Sequence, residues 1–274
     1  MASQEPRAST AGPESQQATL KSAAVRISDV PFDFQTEQQL LVFANQSRQQ
    51  AGAPPLKLDA GLSQAARNHA QAMLKAQRLS HQLDGEPSLL QRLAATTQLQ
   101  LEEEAENVAL DYDAEHGHQH LMLSAPHRAN LLNPAYNVVG LGVVRSGEQI
   151  YIVQDFGNAL PKYSPAEVKE RVAAAVNQVR RQANRPPLQN RNWLGADDAA
   201  CSMAHADKIE IAADRKPTGS GTALTYTSLH PEILPGEAAH VIGGRNLRSF
   251  SIGACYGRTT TYPTGVYWAV LLLQ

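Results

Sequence analysis

Apolar positions recur along this chain in two rhythms, a helical one and a strand-like one, and the order in which they appear repeats once. ANQSRQQAGAPPL at 44–56 and VNQVRRQANRPPL at 176–188 are identical at eight of thirteen positions, at an offset of 132. Each reads as a helix whose pattern stops at a small or polar residue and a Pro-Pro pair, because proline cannot continue a helix and restricts the residue before it. An alanine-rich helix follows in both: GLSQAARNHAQAMLKAQ at 61–77, with Asp59 as its N-cap, and ADDAACSMAHADKIEIAA at 196–213. Both halves close on a Gly-containing apolar run and a last strand: VVGLGVV (138–144) with IYIVQDF (150–156), then SIGAC (251–255) with VYWAVLLL (266–273). These predict two antiparallel hairpins.

Two units of helix, proline turn, helix, irregular middle and hairpin define an α+β chain, a small antiparallel sheet flanked by helices in two tandem copies. The expected boundaries are a flexible leader over 1–34, a first domain over 35–158, a linker over 159–166 and a second domain over 167–274. Ser, Gln, Ala and Pro dominate the leader, which buries too little apolar surface to offset chain entropy. The leader shows no signal peptide, and no apolar run reaches the length of a membrane helix. Net charge is −6 over 1–160 and +4 over 161–274. The bases of the second half are scattered without aromatic platforms between them, which argues against a nucleic-acid partner. Cys201 and Cys255 are too few to build a disulfide framework; one disulfide or two buried thiols both fit.

Four motifs stand in order within the first unit: SHQLDG at 80–85, followed by Arg92; AENVA at 105–109; SAPHRANLLNP at 124–134; and VVGLGVV with VQDFG at 153–157. Together they resemble the bacterial, SCP-domain branch of the CAP superfamily, which holds cysteine-rich secretory, antigen 5 and pathogenesis-related proteins. The resemblance implies an α-β-α sandwich, a secreted or otherwise extracytoplasmic location, and a surface cleft lined by two histidines and acidic residues. The matching positions are His81, Glu106 and His127. Ser124 stands where the family often has a second glutamate, and Leu121 where a tryptophan is usual.

Two imidazoles and a carboxylate are the ligand set of an open zinc site, so His81, Glu106 and His127 are candidate ligands for zinc or another divalent metal. The same groups could line a cleft, with Ser124, for a small polar ligand, or could simply hold loops. With Ser124 in place of an acid there is no carboxylate pair for general acid–base work. No GxSxG occurs, Gly219-Ser220-Gly221 lacks a strand-to-helix context, and neither cysteine has a motif around it. The expected function is a non-enzymatic binding module whose His/Glu cleft takes a divalent metal or a small polar ligand, with a small polar ligand or an unknown protein as its partner and no membrane insertion. The alternatives are a metal-dependent hydrolase of cell-wall or peptide material, and lipid or sterol binding.

His116 and His120 in EHGHQH fall at i, i+4 and read mainly as an exposed polar face. The second unit reads as a copy that has lost its site: RKPTGSG at 215–221 replaces SHQLDG. One coincidence remains. His240 precedes Gly253 by thirteen residues, as His127 precedes Gly140, which sets Glu237 opposite Ser124.

Overall fold

The structure is a computed structural model, described here for residues 32–193, 195–210 and 221–274. The first repeat runs α1 (Phe34–Gln50), β1 (Lys57–Leu58), α2 (Ala60–Ala76), α3 (Leu89–Thr96), β2 (Gln100–Asp111), α4 (Ala114–Leu123), α5 (Ala125–Leu132), β3 (Val138–Ser146), β4 (Gln149–Leu160). The second runs α6 (Pro165–Gln182), β5 (Gln189–Asn190), α7 (Ala196–Ala206), β6 (Thr222–Ser228), α8 (Gly236–Ile242), β7 (Ser249–Gly257), β8 (Val266–Leu273). The leader lies outside the described residues as far as residue 31. Phe32 already bridges to Val144, and Asp33 caps α1 by accepting from the Thr36 amide.

Each repeat has one four-stranded sheet, ordered β1-β3-β4-β2 in the first and β5-β7-β8-β6 in the second. The order is the same in both, as tandem copies require. The three long strands of each sheet are antiparallel, including both predicted hairpins; the two-residue β1 and β5 add on in parallel, which the sequence pattern did not indicate. In the first repeat α2 and α3 cover one face, where Leu62, Ala66, Ala70, Met73 and Leu93 are buried. On the other face α1, α4 and α5 enclose Leu40, Leu121, Leu131, Ile152 and Phe156. This is the expected α-β-α sandwich, and Leu121, at the position where the family usually has tryptophan, is a core residue of it.

Helix α2 lies so close to the sheet that glycine is required beneath it. A Cβ on Gly140 would stand 2.1 Å from the Leu62 carbonyl carbon, and one on Gly142 2.3 Å from that of Ala66. Gly140→Ala therefore forces α2 off the sheet, with an expected loss of about 3 kcal/mol or more, set by overpacking. Urea unfolding checks it; a loss below about 1 kcal/mol would mean that the helix can slide.

The Arg of the repeated segment shows why that segment is shared. Arg48 is fully buried, and its guanidinium donates to four carbonyls, those of Pro54, Leu131, Asn133 and Tyr136, at 2.7–2.9 Å. Arg180, 132 residues on, donates to Pro186, Ile242 and Gly244. Buried backbone carbonyls need a donor, and one guanidinium supplies it to a proline turn and a helix end at once.

Those contacts also fix the alignment of the copies. Leu131 and Asn133 correspond to Ile242 and Gly244, an offset of 111. The sheets agree: β1 residue Lys57 faces Val138, and β5 residue Gln189 faces Ser249. Gly253 is thus the counterpart of Gly142, and it meets Ala196 of α7 as Gly142 meets Ala66 of α2. The equivalence of His240 with His127 is thereby corrected. His127 corresponds to buried Ala238, Ser124 to Pro235, and each of the latter two is the N-cap of its helix. His240 and Glu237 are exposed on α8.

Cys201 of α7 and Cys255 of β7 form a disulfide across a separation of 54 residues. Among the described residues no helix is long and apolar enough to cross a membrane.

Candidate functional site

The candidate site is assembled on β2, where Glu106 and Val108 face α2 and Asn107 faces α5. Glu106 is buried, and its Oε1 lies 3.0 Å from Nδ1 of His81. Its Oε2 accepts from the buried Arg92 guanidinium on α3. Arg92 also donates to the His81 and Pro87 carbonyls and lies 3.6 Å from Glu86. Helix α3 can carry this arginine because Ser88 and Gln91 close a capping box at its start.

His81 sits on a loop that α2 holds from beneath. His69, on the buried face of α2, has Nδ1 2.7 Å from Glu86 and Nε2 2.9 Å from the Ser80 carbonyl. Glu86 accepts in turn from the Leu83 amide, and the Ser80 amide points at the Met73 sulfur. The loop is fixed at both sides of His81, whose ring is exposed and turns its remaining nitrogen away from Glu106.

His127 stands in the first turn of α5. A ladder of amides seats that helix on the sheet: Asn107 donates to the His127 carbonyl and to Gln154, and Asn130 donates to Asn107 and toward the Glu106 carbonyl. The His81 and His127 rings lie 6.4 Å apart. Burial, and then the neighbouring His81, push the His127 ring below the usual imidazole range. Ser124, half-buried, is the N-cap of α5 but its hydroxyl does not cap.

His81, Glu106 and His127 are therefore neighbours, but they do not form a ligand set. Both Glu106 oxygens are already engaged, one of them by a guanidinium that repels a cation, and among the described residues no three His, Cys, Asp or Glu side chains are placed to hold a metal ion. Glu106 as placed is therefore not free to ligate a metal ion. His116 and His120 are exposed, paired with Asp113 and Asp111. Cavities of about 670 and 560 Å³ lie along α1 and beside the end of α2, and neither is lined by the cleft residues.

Sequence reasoning missed His69, Glu86 and Asp155. Asp155 pairs with Glu106 across β4 and β2, is fully buried, and has neither carboxyl oxygen in good hydrogen-bond geometry. Burial, and next the Glu106 charge, raise its carboxyl well above the usual 3.8. Above that pH an unfolded chain releases this proton while the folded one keeps it, so the group's contribution to stability falls as pH rises. Asp155→Asn, equal in shape and unable to ionise, is expected to gain stability relative to the parent as pH is raised above 3.8. Urea midpoints at stepped pH check this, and parallel pH curves for the two proteins would refute it.

In the second repeat the positions of Glu106 and Asp155 are Ala223 and Leu272, which pair across β6 and β8. The buried acids are replaced by apolar groups, and Ala238 stands in place of His127. Its counterpart to SHQLDG lies outside the described residues except for Gly221.

Residues 42–156 match the family model described as the cysteine-rich secretory protein family, CAP. This part of the chain belongs to the CAP superfamily. No curated protein matches the chain in sequence. Among solved structures, an outer surface protein of Borrelia burgdorferi aligns at 18% identity over 46% of this chain and 94% of its own, with a TM-score of 0.43. An extracellular SCP-domain protein of Bacillus anthracis aligns at 26% identity over 45% of this chain, with a TM-score of 0.41; the match spans 40% of the Bacillus protein. Na-ASP-1 aligns at 8% identity over 87% of this chain and 89% of its own, with a TM-score of 0.45.

Proposed function

We propose that this protein is an extracytoplasmic binding module whose first CAP domain takes a small polar ligand between His81 and His127. The carrying observation is the commitment of Glu106: with its oxygens held by Arg92 and His81, the carboxylate orients the imidazole and leaves the two rings as the groups that meet a ligand. A His127 ring that resists protonation keeps an accepting nitrogen at neutral pH, which suits hydroxyl or amide donors. The Cys201–Cys255 disulfide supports an oxidising location.

The test is a screen of small polyols, amides and amino acids followed by the His81 and His127 ring resonances, with His81→Ala and His127→Ala as controls. Binding that both substitutions weaken by about tenfold or more supports the reading, each lost hydrogen bond to a ligand being worth roughly 1 kcal/mol and its unpaired partner more. Stoichiometric zinc abolished by both substitutions would replace the polar ligand with a metal. No response of either ring to any compound or to zinc would leave the cleft purely architectural.

A further inference from the structure

The second repeat has lost its own cleft, yet one of its side chains reaches into the scaffold of the first. Arg258, at the end of β7, donates to the carbonyls of Ala94 and Thr97 and to the Gln98 side chain, and is itself steadied by the Pro263 carbonyl. Ala94 and Thr97 end α3. The last carbonyls of a helix have no partner within it, and a cation placed there also meets the negative end of the helix dipole. α3 is only eight residues long, so its last turn is a large part of it. That end is also held by buried Leu93 and by Thr97, whose hydroxyl donates to the α2 cap Asp59 and whose backbone lies against Gly61.

One turn before that end stands Arg92, the residue that holds Glu106 and the His81 carbonyl. We propose that Arg258 is a positioning residue for the cleft of the first repeat: by capping α3 it sets Arg92, and through Arg92 the orientation of His81. The degenerate copy is then retained as a brace for the working one. Two other polar bridges between the repeats among the described residues, Glu102 with His230 and Thr264 with the Leu101 carbonyl, join β2 and do not touch α3. They serve as internal controls.

The inference rests on the reading of His81 as a ligand-facing group, but its test needs no ligand. Amide exchange and the ring resonances of His81 and His127 are followed in the full chain. Arg258→Met is expected to speed exchange of the Leu93–Thr97 amides by about fivefold to tenfold, the effect of losing a helix cap, and to displace the His81 ring resonance. Arg258→Lys, which keeps a cation over the same carbonyls, restores most of both. In an Arg92→Met background, Arg258→Met shifts His81 no further, because the two act through one connection. His230→Gln leaves α3 and His81 unchanged.

An undisturbed His81 resonance in Arg258→Met overturns the proposal, and so does an equal displacement by His230→Gln, which would make the effect one of docking in general. If Arg258→Met does not fold, Arg258→Gln, which keeps part of the stem and a donor but loses the charge, takes its place: a His81 ring displaced by it and not by His230→Gln supports the proposal, and a ring undisturbed by it overturns the proposal. A displaced His81 in a protein that binds none of the screened compounds would remove the ligand reading and leave the brace standing.

Discussion

Arg48→Met is expected to cost the first repeat about 3–5 kcal/mol, the range for breaking a buried, fully bonded charged group. Methionine fills much of the space of the arginine stem but donates nothing. The carbonyls of Leu131 and Tyr136 would be left buried and unpaired, that of Pro54 would turn to solvent, and that of Asn133 would keep only the Tyr136 amide. The loss is read from urea midpoints by circular dichroism. Arg180→Met, which removes bonds to three carbonyls, is expected to give a similar but smaller loss. A cost below about 1 kcal/mol at Arg48 would show that water replaces the guanidinium, the ordinary fate of an exposed arginine.

The second large effect belongs to the disulfide. Cys201 and Cys255 close a loop across 54 residues, and in the chain-entropy account a loop of that length restrains the unfolded state by about 4 kcal/mol. The double substitution to alanine is therefore expected to destabilise the second repeat by up to that amount. Both tryptophans, Trp193 and Trp268, lie in that repeat, and Trp268 faces Cys255 across β7 and β8. Tryptophan fluorescence, excited selectively, thus reports the second repeat alone. Treatment with a reductant should move the fluorescence midpoint with little change in exchange at Val108 or Ile152 of the first core. Equal loss in both repeats would show that they unfold as one cooperative body.

Much of this architecture was readable from residue order. The repeated Asn-Gln, Arg and Pro-Pro-Leu positions marked two homologous helices and turns, because an arginine serving several carbonyls and a proline ending a helix tolerate few replacements. Hairpins were visible as apolar runs with glycine. The alignment of the second cleft was not. Gly140, Gly142 and Gly253 look alike in sequence, and only the helix lying on each shows that Gly253 answers to Gly142. The disulfide was equally hidden, since two cysteines 54 apart carry no spacing signal.

In the candidate site His81, Glu106 and His127 were rightly brought together as neighbours, but the partner that decides their chemistry was not identified. Arg92 was noted as following SHQLDG; nothing in its position told that it holds Glu106. His69 did leave a trace. It lies on the stripe Ala66, His69, Ala70, Met73 at helical spacing, and a histidine on an otherwise apolar face must find polar company beneath the surface. Asp155 stood in plain view within VQDFG, but a carboxyl surrounded by strand residues is legible only when its cross-strand neighbour is known to be Glu106.

The paired guanidiniums have a consequence for how such a chain comes to exist. Each gathers carbonyls supplied entirely by its own half, so each half carries the clasp that finishes it. A module closed by its own clasp can be copied whole, and the duplicate can then shed its acids and histidines, gain a covalent staple and take up a supporting role without undoing the original.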